Sequence, residues 1–214
     1  MEVRNISPPV HGFLFVKLEQ NIINHLWKII DIAKNNNISF KNKLAGNISQ
    51  SLLLEDLDSV FYNSVCAPLV QTYRENNFNK RDPVHQNALL GANTTLVLNE
   101  FWVNYQYKTE FNPYHDHAGV YSFAIWLKIP YDWEEQCKLT QFSEIDKGNI
   151  KAGQFQFEYT DSLGGISTYG FRLSPKLEGT MLFFPAKLRH CVYPFYEIED
   201  PRISIAGNLT YQPN

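Results

Sequence analysis

The run Phe-Asn-Pro-Tyr-His-Asp-His-Ala-Gly places two imidazoles, His115 and His117, on either side of Asp116. A third, His190, follows far downstream in Leu-Phe-Phe-Pro-Ala-Lys-Leu-Arg-His-Cys-Val. On an extended backbone residues i and i+2 share a face, so His115 and His117 point one way and Asp116 the other. A pair of imidazoles from one strand end and a third from a distant strand make three metal ligands on one side, with the opposite positions open. Imidazole nitrogen suits Fe, Zn, Cu or Ni. Beyond His190, Asp-Pro-Arg-Ile-Ser-Ile starts a strand with Arg202 and Ser204 on one face, where a guanidinium fork and a hydroxyl would receive a carboxylate.

The elements that must position these residues are legible from periodicity. From 94 onward the chain turns β-like: 94–107, 119–130, 153–160, 166–173, 179–184, 188–195 and 202–211 are rich in Val, Ile, Phe, Tyr and Thr, separated by turn residues. Seven or eight short strands without helices between them indicate a sandwich or jelly roll. Upstream, 10–16 reads as a short strand. Leu18, Ile22, Leu26, Ile29, Ile30 and Ala33 recur at helical spacing until the Asn35-Asn-Asn run stops them. A second helix is expected over 55–74, kinked at Pro68, and Leu44-Ala-Gly-Asn-Ile-Ser between the two reads as a linker. The polar stretch 76–93 reads as a loop lining the mouth of a pocket, and 131–150, with Tyr131 and Trp133 exposed, as an insertion or lid.

The bulk properties narrow the classes of function. With 214 residues and 44% hydrophobic content, one substantial core is possible. The economical organisation is a single domain, 1–93 a helical N-terminal support and 94–214 a jelly-roll core. A net charge of −3 supplies no polycation, so no nucleic-acid partner is expected. No window approaches a membrane span and no secretory pattern opens the chain. The cysteines, Cys66, Cys137 and Cys191, lack CxxC spacing, which fits a reducing, cytoplasmic setting rather than a disulfide framework. Cys191 adjoins His190 but should face the other side of its strand.

Taken together, the chain resembles the Fe(II)/2-oxoglutarate-dependent dioxygenases, in particular their uncharacterised phage and bacterial prolyl-hydroxylase-like branch. The resemblance rests on Leu44-Ala-Gly-Asn-Ile, Phe101-Trp-Val-Asn-Tyr, Glu110-Phe-Asn-Pro-Tyr-His-Asp-His, Tyr121-Ser-Phe-Ala-Ile-Trp-Leu-Lys-Ile-Pro, Gly179-Thr-Met-Leu-Phe-Phe-Pro-Ala-Lys-Leu-Arg-His and Arg202-Ile-Ser, and spans roughly residues 95–210. It implies a mainly β double-stranded β-helix (jelly roll, cupin-like) with buttressing α-helices, located in a bacterial or phage-infected cell. It also implies Fe(II) on His115, His117 and His190, and 2-oxoglutarate anchored by Arg202 and Ser204. By the same resemblance the strand before His115 supplies a polar contact to the co-substrate, with Tyr105, Asn104 and Gln106 as candidates, and Asn208 is a further one. The usual family triad is His-x-Asp/Glu…His. His117 here replaces the carboxylate, raising the charge of the metal site by one unit, and Asp116 is either a substitute ligand or an orienting neighbour.

The implied activity consumes O2 and 2-oxoglutarate and yields succinate and CO2 while an unidentified substrate, a peptidyl residue or a small molecule, is hydroxylated. Two other readings stay open on the sequence. One is a non-enzymatic jelly-roll protein that holds a metal or dicarboxylate without turnover. The other is a three-histidine cupin-like enzyme needing no 2-oxoacid, against which Arg202 and Ser204 argue. A peptide groove built from 76–93 and 131–150 is expected only by analogy with prolyl hydroxylases. The sequence leaves the oligomeric state open.

Overall fold

A computed structural model describes residues 12–75 and 95–212. In chain order the elements are β1 (Leu14–Lys17), α1 (Gln20–Asn36), β2 (Gln50–Leu53), α2 (Ala67–Glu75), β3 (Leu96–Gln106), β4 (Asn112–His115), β5 (Tyr121–Lys128), α3 (Trp133–Gln136), β6 (Gln154–Thr160), β7 (Ile166–Arg172), β8 (Thr180–Pro185), β9 (Arg189–Val192) and β10 (Arg202–Tyr211). Two sheets face each other, a six-stranded one ordered β1-β8-β5-β10-β3-β2 and a four-stranded one ordered β4-β9-β6-β7. Their strand pairs are antiparallel, giving the double-stranded β-helix that the strand pattern implied.

The period of two sorts each strand of the larger sheet between two cores. Phe101, Val103 and Tyr105 of β3, Tyr121, Phe123, Ile125 and Leu127 of β5, Met181 and Phe183 of β8, and Ile203, Ile205 and Leu209 of β10 face outward. They pack against Leu26, Ile29, Ile30 and Ala33 of α1, Val70 and Tyr73 of α2, and Phe61. Burying each large apolar side chain there contributes about 1.5–3 kcal/mol, which is what holds the helices to the sheet. The alternate residues, Trp126 of β5 and Leu182 and Phe184 of β8, turn inward to meet Phe155 and Phe157 of β6. At Gly207 an added Cβ would lie 2.5 Å from Phe123 Cζ and 2.8 Å from the Glu100 carbonyl, so this strand crossing needs glycine.

Helix α1 ends as expected at the Asn run: Asn37 adopts a left-handed conformation (φ 49°) and its N–H donates to the Ala33 carbonyl at 2.8 Å. The second helix departs from its expectation. A 3-10 turn at Leu57–Ser59 leads into a short α-helical start at Val60 and Phe61, which widens to a π-helical turn at Tyr62–Cys66 before the α-helix resumes at Ala67. Pro68 has no N–H to donate back to residue 64, and the wider π turn immediately before it accommodates that missing bond.

Two strands escaped the sequence reading. β2 lies between the segment read as a linker and the expected second helix, and β4 holds the first histidine. Each has four residues, too few to display alternation. The N-terminal region is therefore more than a helical support, since β1 and β2 are the two edges of the larger sheet. In the segment 131–150 nearly all of 140–149 is exposed, but the expected exposure of Tyr131 and Trp133 is not met. Tyr131, Trp133, Gln136 and Ile150 are all buried, Tyr131 stacked on Phe195 and Trp133 beneath the Arg172 guanidinium at 4.2 Å. Its polar composition hid apolar anchors that reach back into the fold. The expected pocket-lining loop 76–93 lies outside the described residues. The three cysteines are free, and no helix among the described residues is long and apolar enough to cross a membrane.

Candidate metal centre and dicarboxylate pocket

The histidine pair His115 and His190, distant in sequence, are cross-strand partners where β4 pairs with β9. His117 lies just past the end of β4, and its N–H donates to the Ala186 carbonyl at 2.9 Å, which ties it to the end of β8. The expectation of one continuous strand through 115–117 is thus not met, yet the three rings still converge. Their centroids are 4.3 Å (His115–His190), 5.1 Å (His117–His190) and 5.1 Å (His115–His117) apart. One nitrogen from each lies within 4.8 Å of the others, so the triad can hold a metal ion.

Backbone carbonyls fix the faces of two of these rings. His115 Nδ1 lies 2.7 Å from the Pro113 carbonyl, and His190 Nδ1 lies 3.0 Å from that of Leu188. A carbonyl only accepts, so each Nδ1 carries the proton and Nε2 keeps its lone pair for a metal. Burial holds all three imidazoles below their ordinary pKa. For His190, among Phe155, Phe157 and Phe184, the depression is strong and is deepened by His115 and His117; His117 is pushed down to about 4 by burial and then by His115. His115 is lowered by burial as well. Neutral imidazoles at pH 7 are the form a metal needs.

Asp116 points away from the triad, as strand alternation implied, and pairs with Lys187 at 3.0 Å on the surface. Cys191 likewise lies on the far face of the smaller sheet, where its cross-strand partner Gln156 accepts hydrogen bonds from Tyr114 (2.8 Å) and Tyr193 (3.0 Å).

A cavity leads from the triad between the sheets to Arg202. Arg202 is 1% exposed and donates hydrogen bonds to the Tyr131 hydroxyl and to Gln106 Oε1, yet it makes no ion pair among the described residues. A buried guanidinium without an anion is costly, which marks the place of an anionic ligand. Ser204 and Asn104, cross-strand partners, line the same cavity, and the buried Asn104 Oδ1 has no hydrogen-bond partner among the described residues. The cation and the hydroxyl are donors that fit a dicarboxylate reaching from the triad toward Arg202, and the Asn104 side chain stands beside them.

Tyr105 is a correction. It lies on the outward face of β3, packed in the helix–sheet core, and does not line the cavity. Its neighbours of even number, Trp102, Asn104 and Gln106, do. Both faces of this strand carry aromatic and polar residues, so composition could not say which one turns toward the second sheet. Tyr131 and Asn112 were not anticipated at all. Asn112 Nδ2 lies 3.3 Å from His115 Nε2, and Gly46 passes so close that an added Cβ would be 2.4 Å from Asn112 Oδ1. Gly46 belongs to the motif read as a linker, which is bridged to β4 through Asn47 and Phe111 and forms part of the wall beside the metal centre.

Fold and site together define a jelly roll with a three-histidine cluster able to hold a metal ion between its sheets. The family model described as "Putative 2OG-Fe(II) oxygenase" matches residues 100–208, just over half of the chain, and the chain belongs to this family of iron(II)- and 2-oxoglutarate-dependent enzymes. No curated protein matches it in sequence. Among solved structures it is similar to the viral collagen prolyl hydroxylase vCPH from Paramecium Bursaria Chlorella virus-1, with 10% identity over 92% of this chain and 94% of that one and a TM-score of 0.50. The non-heme alpha ketoglutarate dependent epimerase SnoN from nogalamycin biosynthesis is similar at 12% identity, over 95% of this chain and 82% of that one, also with a TM-score of 0.50. At these identities the likeness is one of fold. With family membership the reading of a non-enzymatic binding module falls away.

Proposed function

We propose that His115, His117 and His190 hold Fe(II), that Arg202 and Ser204 anchor the distal carboxylate of 2-oxoglutarate with Asn104 beside it, and that the enzyme hydroxylates a substrate bound on the open side of the triad. The observation that carries this is Arg202: a buried cation with no anionic partner among the described residues, in a cavity that also contains all three histidines. Bound Fe(II) would supply the redox chemistry that splits O2, one oxygen atom going to the substrate and the other to succinate as 2-oxoglutarate loses CO2.

The chain's own residues bind, orient and exclude water. The carbonyls of Pro113 and Leu188 keep two imidazoles turned toward the metal position. Tyr131 and Gln106 hold the Arg202 guanidinium so that its remaining donors face the cavity. Phe155 and Phe184 pack around His190, keeping that side of the centre dry. With three neutral ligands the site lacks the anion usual in this family, so the dianionic co-substrate compensates more of the metal's charge here than where a carboxylate is present.

In this reading 1–214 is one catalytic unit. The test is succinate formation from 2-oxoglutarate with and without Fe(II). Iron-dependent succinate that disappears in His190→Ala supports the assignment. Turnover in His190→Ala equal to the native rate would refute the ligand set.

A further inference from the structure

On the other side of the triad from Arg202, a second cleft of about 100 Å³ opens toward the surface, and His115 and His117 line both spaces. Its opposite wall is built from Lys43, Glu100, Asn208, Phe40 and Trp102. Apart from Trp102, which also borders the co-substrate cavity, none of these has a role toward the metal or the co-substrate. Glu100, Asn208 and Ser122 are register partners on β3, β10 and β5, and they form a hydrogen-bonded row. Ser122 Oγ donates to Asn208 Oδ1 at 2.7 Å, and Asn208 Nδ2 donates to Glu100 Oε2 at 2.7 Å. Ser122 and Asn208 are 1% and 4% exposed, so the row is paid for in desolvation, and it reaches the cleft at Asn208 and the Glu100 carboxylate.

Lys43 meets Glu100 Oε1 at 3.2 Å from a 3-10 turn at Lys41–Lys43, with its side chain 59% exposed. A pair this open adds about 0–1 kcal/mol to stability, too little to account for a buried row built behind it. The opposed charges stand against a stacked aromatic wall, with Phe40 and Trp102 centroids 4.7 Å apart at 12°, and Trp102 sits 5.9 Å from the His117 ring. Burial raises the Glu100 pKa, but hydrogen bonds from Asn208 and Lys43 outweigh it and the net shift is downward, leaving a carboxylate at neutral pH.

We infer that this cleft binds the primary substrate as a zwitterionic free amino acid, its ammonium on Glu100 and its carboxylate on Lys43, with the side chain along Phe40 and Trp102. The inference rests on the metal and co-substrate assignment above and names the substrate class for it. A zwitterion exchanges the Lys43–Glu100 pair for two pairs of the same kind, so neither charge is left alone. The cleft is on the scale of a single amino acid, and a peptide bond on either side would remove one of the two charges it matches.

The test is ligand-observed NMR on the native protein, with and without Zn(II) and 2-oxoglutarate, against the twenty L-amino acids and their N-acetyl and C-amide forms. At least one free amino acid should bind, and capping either end should weaken it about 10- to 100-fold, the worth of one charge-assisted hydrogen bond. Glu100→Gln should weaken the free amino acid by a similar factor but leave its N-acetyl form unchanged. Lys43→Met should do the same for carboxylate and amide. The inference is overturned if no free amino acid binds, or if capped forms bind as well as free ones, the second result pointing to a peptidyl substrate. Both outcomes are read on the native chain and need no variant to fold. Failure of 2-oxoglutarate to bind in the same samples would instead refute the co-substrate assignment, while the metal-free arm still decides the amino-acid question.

Discussion

Replacing Arg202 by Met is the sharpest perturbation, because its effects on stability and on ligand binding separate. In the ligand-free protein the change removes a buried charge that has no anionic partner among the described residues, which favours the variant. It also leaves the Tyr131 hydroxyl and Gln106 Oε1 without their donor, at about 1–3 kcal/mol for an unsatisfied buried group. These contributions oppose each other, and the net change is expected within about 2 kcal/mol. For 2-oxoglutarate nothing offsets the loss. A bidentate carboxylate–guanidinium contact carries two charge-assisted hydrogen bonds at about 1.5–3 kcal/mol each, so a loss of about 4 kcal/mol, or roughly a thousandfold in Kd, is expected.

Thermal unfolding with Zn(II) in place of iron reads both quantities at once. At a 2-oxoglutarate concentration about 100 times the native Kd, binding stabilises the native protein by about 2.7 kcal/mol. In the variant the same concentration is about a tenth of the new Kd and stabilises by less than about 0.1 kcal/mol. The native protein should therefore shift its Tm with 2-oxoglutarate and Arg202→Met should not, while their ligand-free values stay close. An undiminished 2-oxoglutarate shift in Arg202→Met would show that the guanidinium is not the anchor, and the pocket assignment would fail with it.

Three further outcomes follow from the geometry. Asp116→Asn should leave iron affinity and succinate formation within about twofold, because the carboxylate faces Lys187 at the surface; a large loss of metal in an iron titration would return Asp116 to the ligand set. Asn104→Ala should raise the KM for 2-oxoglutarate severalfold whereas Tyr105→Phe leaves it unchanged, and the reverse pattern in steady-state kinetics would mean that the opposite face of β3 lines the pocket. In the metal-free protein the folded His117 refuses a proton that the unfolded chain accepts. Stability is then complete above the ordinary imidazole pKa and falls as pH drops from about 6.5 toward about 4, by about 3 kcal/mol from this residue alone. His190, depressed further, extends the fall to lower pH, and urea midpoints that stay flat between pH 7 and 4.5 would contradict the burial of these rings.

The arrangement also explains how one jelly roll separates its two ligands. The triad stands between two spaces, one ending at the buried Arg202 cation and the other at an acid–base pair near the surface. Charge alone directs a dianion to the first. The Lys43–Glu100 pair is net neutral and gives a dianion no comparable attraction.

Much of this was legible in the chain itself. Alternation of β-branched and aromatic residues with polar ones located seven strands within a few residues of their ends. It did so because a strand's period of two is a local property that each sequence window carries alone. The same holds for the helical stripe of Leu26, Ile29, Ile30 and Ala33, and for the Asn run that stops it. The three histidines with Arg202 and Ser204 were recognisable because their residue types are uncommon together and their spacing matches a known pattern. What only the tertiary structure decided was which side of each strand meets what. Tyr105 and Asn104 are neighbours of comparable promise in the sequence, and helix packing on one face and the second sheet on the other send them to opposite places. The four-residue strands β2 and β4 show no period of their own and exist because a long neighbour, β3, or a cross-strand histidine supplies their partners. Tyr131, in a stretch that reads as solvent-facing, is buried because Arg202, from the far end of the chain, needs its hydroxyl. Contacts of that kind are properties of pairs distant in sequence, and no local window contains both members.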